Sequence, residues 1–155
     1  MINEKKVIQQ LHERKYEPGE NFVLTDYAFK YGSPLDLLMY SKILWPDFIE
    51  IEDMVFSSII IEDEDDKQKA LDYFIECEGD KQKTEQSFNM IEIPSSLFGK
   101  NANEANAEIF LMIANLLCEM WLSRLSILYP SRKFRFRILA PEETGDELAI
   151  MFYQT

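Results

Sequence analysis

Between Asn101 and Leu128 the chain carries the apolar pattern that most limits its possible folds. Ile109, Phe110, Met112, Ile113, Leu116, Leu117, Met120, Trp121 and Leu125 recur at helical spacing and nearly encircle one long helix, which starts near Asn101 or Asn103 and stops before Pro130. A helix apolar on most of its circumference must be covered, so the pattern predicts a central helix buried on most sides. The length is near that of a membrane span. Asn115, Glu119, Ser123 and Arg124 interrupt it, and charged groups near a bilayer centre cost about 2.5 to 3.5 kcal/mol each. The expectation is therefore a core helix and no membrane partner.

The rest of the chain supplies what such a helix needs to pack against. A first helix is predicted over about Glu4 to Arg14, with Asn3 as cap and Pro18-Gly19 as its end. A second covers Leu35 to Leu44, capped by Ser33, with Pro34 at the first helical position and Pro46 as the stop. Phe48 to Ile51 alternates, turns at Glu52-Asp53 and continues as a β-branched run from Met54 to Ile61, which predicts a hairpin. Helices follow over the Ala70, Leu71, Phe74 and Cys77 pattern, closed by Gly79, and over Thr84 to Met90. Lys133 to Ile138 alternates cleanly, Pro141 to Asp146 supplies a turn, and Leu148 to Tyr153 is apolar on both faces, which marks a strand interior to its sheet. The predicted class is α+β: an antiparallel sheet of two hairpins packed against several helices, in one domain over residues 1–155.

Chemistry-bearing constellations are sparse. His12 is the sole histidine, on a short helix with no nucleophile in sequence reach, so Ser-His-Asp and Cys-His sites lose their base and a surface role is expected. Cys77 and Cys118 read as isolated small hydrophobes, with no zinc-ligand spacing. Glu104, Glu108, Asn115 and Glu119 return to one side of the long helix without the histidines of a bundle di-metal site, which predicts a solvated face. Isolated glycines give no phosphate-cradling loop. Catalytic residues, metal and cofactor are accordingly all expected to be none, and the chain is not expected to be an enzyme.

Charge is the remaining signal. Twenty-eight acidic against 16 basic side chains leave a formal charge of −12, which repels nucleic acid and anionic membrane and steers cationic proteins inward. The densest run is Glu62, Asp63, Glu64, Asp65 and Asp66, and its position before a helix also suits a helix dipole. These five, with Asp80, are the expected partner-binding groups of an acidic cytoplasmic interaction module, an immunity-type inhibitor of a basic toxin or enzyme being its sharpest form. The alternative is a small-molecule site for an anion between the sheet and the long helix, where Trp45, Phe48, Trp121 and Tyr153 line a pocket and Arg135 or Arg137 fixes the anion. Lys133, Arg135 and Arg137 share one strand face, for which pairing with Glu50 and Glu52 across strands is the simpler account. The expected state is monomer or homodimer, the latter through the edge of the first hairpin around Ser57 to Ile61, where few charges discourage pairing.

Three stretches, 37–48 (LLMYSKILWPDF), 121–125 (WLSRL) and 129–134 (YPSRKF), resemble a family of small uncharacterised bacterial proteins. The resemblance carries no catalytic motif and implies no site residue.

Overall fold

A computed structural model describes residues 4–15, 23–145 and 147–155. The predicted cap Asn3, the Pro18-Gly19 stop and Asp146 lie outside the described residues. The chain divides into two compact units, Met1–Lys42 and Ile43–Thr155.

The first unit contains α1 (Glu4–Lys15), α2 (Leu24–Tyr31) and most of α3 (Pro34–Leu44). Sequence pattern does not announce α2, because the residue before it is Val23 rather than a capping side chain. Its start is held instead by the Asp26 carboxylate, which accepts the Val23 N–H at 2.9 Å. Gly32 ends it, donating to the Ala28 carbonyl at 2.9 Å, and a Cβ at Gly32 would lie 2.4 Å from that oxygen. Only glycine permits so close a turn. Tyr27 is the buried centre of the unit, edge-on to His12 at 5.4 Å and stacked on Tyr31 at 6.1 Å. His12 is thus half-buried against a tyrosine rather than purely superficial. As predicted, α3 begins with Pro34 and its cap Ser33 accepts the Asp36 N–H at 3.3 Å.

The second unit is built on two antiparallel sheets. The first is the hairpin of β1 (Phe48–Ile51) and β2 (Met54–Ser57), with Glu52 and Asp53 in the left-handed region at φ 51° and 64°. Two consecutive positive φ angles match the right-handed twist of the strands they join. The second sheet runs β3-β5-β4, from β3 (Met90–Glu92), β4 (Phe134–Leu139) and β5 (Ala149–Gln154). The α+β class, the hairpin, the long helix and the interior place of the last strand are as the sequence predicts. Two details differ: the hairpins do not join into one sheet, and β3, at three residues too short for a periodicity to register, supplies the other edge of the larger sheet.

The helices of this unit are α4 (Glu64–Glu76), α5 (Lys81–Phe88), α6 (Ala107–Leu128) and the single turn α7 (Pro141–Thr144). A π-helical turn over Ile93–Phe98 and a 3-10 segment over Gly99–Glu104 lead into α6. Hence α6 begins later than either predicted start, capped by Asn106, whose side chain accepts the Ile109 N–H at 3.0 Å. Its burial also corrects the expectation. Phe110, Ala114, Leu117, Trp121 and Leu125 form one buried stripe, whereas Leu111, Leu122 and Ile127 are 45%, 42% and 64% exposed. By length and hydropathy α6 could cross a membrane. Here it packs on the core by that stripe, with Glu108, Asn115 and Glu119 on its exposed side.

Aromatic rings fill the space under α6. Phe48, Trp121 and Phe152 meet edge to face at centroid distances of 5.7 to 6.0 Å, and Phe136 stacks on Phe152 at 5.2 Å. The Trp121 indole N–H donates to the Ile43 carbonyl at 2.8 Å, which satisfies the one polar atom of that ring in the core.

What ties the hairpin to the larger sheet is Glu85 on α5, seconded by Asn89 at the C-terminal cap of that helix. Glu85, fully buried, accepts from the Val55 N–H at 2.8 Å, the Gln154 N–H at 2.7 Å and the Gln154 side-chain amide at 2.6 Å. Asn89, also fully buried, accepts the Ser57 N–H at 3.2 Å and donates to the Val55 carbonyl at 2.8 Å. Together they occupy the outer edge of β2 as a neighbouring strand would. The hairpin edge proposed for homodimer formation is therefore already used within the chain. Glu85→Ala would leave the Val55 and Gln154 amides buried without acceptors, at about 1 to 3 kcal/mol for each. Urea unfolding of Glu85→Ala is expected to show a loss of roughly 3 to 5 kcal/mol, with a smaller loss for Glu85→Gln, which keeps one acceptor oxygen. A loss under about 1 kcal/mol would remove the clamp from this account.

Candidate interaction face

The acidic run is first of all a helix start. Asp63 caps α4, its carboxylate accepting the Asp66 N–H at 3.0 Å, and Asp66 in turn accepts the Glu62 N–H at 3.3 Å and pairs with Lys69 at 2.8 Å. Those bonds to Lys69 and to the Glu62 amide hold the Asp66 carboxyl below the usual carboxylate range. Glu64 pairs with Lys67. Four of the five residues in the run, Glu62 to Asp65, are exposed, and the Asp65 side chain takes no part in the cap.

Asp80 performs the same task for α5, accepting the Lys83 N–H at 2.9 Å. It does not join the run. Asp63 and Asp80 bracket the 13-residue α4, whose axial rise of about 1.5 Å per residue separates its ends by roughly 20 Å.

The exposed side of α4 bridges that gap. Asp65, Lys69, Asp72 and Glu76, at i, i+4, i+7 and i+11, are all exposed and follow one stripe. Gln68 donates to Asp72 at 2.8 Å and fixes one of these carboxylates. Ile75 lies beside Gln68 and Asp72 on the flank of the stripe with 73% of its surface exposed. Asp72, Glu76 and Ile75 were not singled out from the sequence, although the spacing from Asp65 onward carries the signal. The buried side of the helix is anchored by Ala70 in a small core with Met54, Phe56 and Ile61, against which Phe74 and Phe88 pack.

Charge is unevenly divided. Residues 1–42 carry six acidic and six basic side chains, so the whole formal −12 belongs to residues 43–155.

Of the residues expected to form an anion pocket, Phe48 and Trp121 meet in the core, while Tyr153 and the arginines lie on the other face of the sheet. Trp121 lies wholly within the aromatic core with Phe48 and Phe152, while Tyr153 clusters with Leu139, Ala149 and Met151. Cross-strand register puts Arg135 opposite Tyr153 and Arg137 opposite Met151, and Phe136 opposite Phe152. Successive side chains on a strand alternate, so the arginines share the Tyr153 face and Trp121 packs against the other. Trp45 meets Arg124, whose guanidinium lies 5.6 Å from the ring centroid and which pairs with Asp47 at 3.4 Å. The basic ladder itself is real, with Lys133, Arg135 and Arg137 all exposed, but its pairing differs from expectation. Arg137 bonds Glu143 at 2.6 Å, and Glu50 is taken by Arg132 at 2.7 Å. Arg132 also covers the Tyr129 ring at 5.1 Å.

Among the described residues no three His, Cys, Asp or Glu side chains converge as a metal site would require. Cys77 ends α4 and Cys118 lies half-buried on α6, both as free thiols. Burial, and secondarily the Glu119 charge, push the Cys118 thiol up to about 11. No protein-family profile, curated protein or solved structure matches the chain.

The raised Cys118 value has a direct consequence, because the thiolate is the reacting species. In the folded protein at pH 8, Cys118 is expected to react with a disulfide reagent at least tenfold more slowly than in urea, read by mass mapping of the labelled peptide. Equal rates in the two states would show that the thiol is not shielded.

Proposed function

We propose that residues 43–155 form an acidic protein-interaction module of the cytoplasm that binds a cationic protein, in its sharpest form as an immunity-type inhibitor of a basic toxin or enzyme. The observation that carries this reading is the exposed face of α4, where Asp65, Asp72 and Glu76 run beside Ile75. An exposed apolar side chain with charged neighbours has the composition of a small interface, an anchor that loses water on binding and a rim that steers.

The charge division supports the same reading. A unit holding the entire −12 projects a field that accelerates encounter with a basic surface, and such steering weakens as salt shortens the Debye length. Glu62, Asp63, Glu64, Asp65, Asp66 and Asp80 remain contact candidates, but Asp63, Asp66 and Asp80 already serve the helix ends. Removing those three would weaken α4 and α5 as well as any contact. The discriminating groups are accordingly Asp65, Asp72 and Glu76.

The test is inhibition of, and association with, a panel of cationic enzymes at low and high salt. Replacing Asp65, Asp72 and Glu76 together by Lys should slow association with a bound enzyme by roughly tenfold or more at low salt, and much less at high salt. Ile75→Ala should act instead on dissociation. Unchanged binding of the triple variant would reject this face, and a wild-type chain that binds no cationic enzyme at any salt would reject the function.

A further inference from the structure

Whereas Ile43 and Leu44 at the C-terminal end of α3 pack against the aromatic core, residues 34–42 of the helix are exposed on every side. Its sequence, PLDLLMYSKIL, is apolar around its circumference, yet none of its residues is buried. Leu35, Leu37 and Leu38 are 76%, 70% and 63% exposed, and Phe29 on α2 is 94% exposed. A helix with apolar residues on all sides is stable in water only when something covers it. Met39 and Tyr40 extend the same surface.

We infer that this surface joins two copies of the chain, α2–α3 against α2–α3. Three observations select a second copy over other occupants. The first is area: these six residues expose on the order of 700 Å2, an upper limit on what each copy can bury here that lies within the roughly 600 to 1,000 Å2 each partner gives to a standard interface.

The second is shape. An isologous contact needs a patch that is complementary to itself. The elbow between α2 and α3 encloses an apolar groove of about 530 Å3, lined by Ala28, Tyr31, Gly32, Pro34 and Leu37 among others. Phe29, which follows Ala28 of that lining, projects almost wholly into solvent. One patch thus bears both a ring to insert and a groove to receive one, as a two-fold contact requires. Leu35, Leu38 and Met39, at i, i+3 and i+4, form a separate stripe that a paired α3 can cover.

The third is charge. Residues 1–42 are formally neutral, so the contact joins two uncharged units, whereas contact through residues 43–155 would set −12 against −12. A bilayer is the poorer fit, because the 11 residues of α3 extend about 16 Å, too short to span, and a helix apolar around its circumference lacks the strongly charged face of one that lies along a membrane surface.

The experiment is sedimentation of the full chain alone over a range of concentrations, at low and high salt and in parallel with flotation on phosphatidylcholine vesicles. It needs no partner protein and so stands or falls apart from the proposed function. The expected result is a species of twice the 18.3 kDa chain mass that survives high salt. Phe29→Glu and Leu38→Glu should each raise its dissociation constant roughly tenfold or more while leaving the far-UV spectrum intact, since neither side chain is in a core. Should a variant unfold, a photo-crosslinking phenylalanine analogue at position 29 gives the same reading, with the cross-link expected in residues 28–40 of the other copy. A chain that stays at its single mass, a dimer indifferent to both substitutions, a cross-link outside that segment, or a monomer that floats with the vesicles would each overturn the inference.

Discussion

The buried carboxylate of Glu85 is the interaction on which the second unit depends. Two small sheets of two and three strands, each with an edge to satisfy, cannot share a core unless their unpaired backbone groups find partners away from water. Glu85 of α5 and Asn89 at its C-terminal cap provide them, standing in for the strand that would otherwise bond β2. No cation faces Glu85 in these bonds; its oxygens are met by N–H groups, two of them from the backbone, which makes the site sensitive to geometry rather than to salt. Because α5 is fixed in this way, α4 is held through the Met54, Phe56 and Ile61 cluster and through the Tyr73–Phe88 ring contact at 5.7 Å. The acidic face is presented by a helix whose opposite side is anchored.

The two units differ in how they relate to water. Residues 43–155 pair a filled aromatic core with a strongly acidic exterior, while residues 1–42 have no net charge, a buried tyrosine among their described residues and an exposed apolar stretch of α3. Acidity on the larger unit favours solubility and attracts cations; neutrality on the smaller one permits close approach of like molecules. Binding of a cationic protein and self-association would thus use different surfaces and respond oppositely to salt.

Much of the fold was legible because it rests on periodicity and capping. The two-residue turn at Glu52-Asp53, the Ser33-Pro34 helix start and the alternation of β4 are local signals, and each element lies where they place it. Elements fixed by remote partners were not legible. The helix α2 lacks a capping side chain before it, β3 is three residues long, and the segment 93–104 coils as π and 3-10 turns that no simple period describes. Burial of α6 was overestimated because composition counts apolar residues without saying how many neighbours exist to cover them. The candidate site was half legible: the Glu62–Asp66 run stands out by density, but its capping duties and the Asp65, Asp72, Glu76 stripe emerge only once α4 has a buried side. Trp121 and Arg135 each suggested a ligand site, and strand alternation puts them on opposite faces.

If the clamp is what makes the second unit one body, the backbone amides it accepts from should be among the slowest in the chain. Residue-resolved hydrogen exchange at Val55, Ser57 and Gln154 measures this directly. Exchange of all three only through global unfolding, with protection that falls together in Glu85→Gln, is the predicted result. Exchange near the rate of a surface loop at Val55 or Gln154 would mean that Glu85 does not hold the two sheets together, and the rigid acidic face would lose its physical basis.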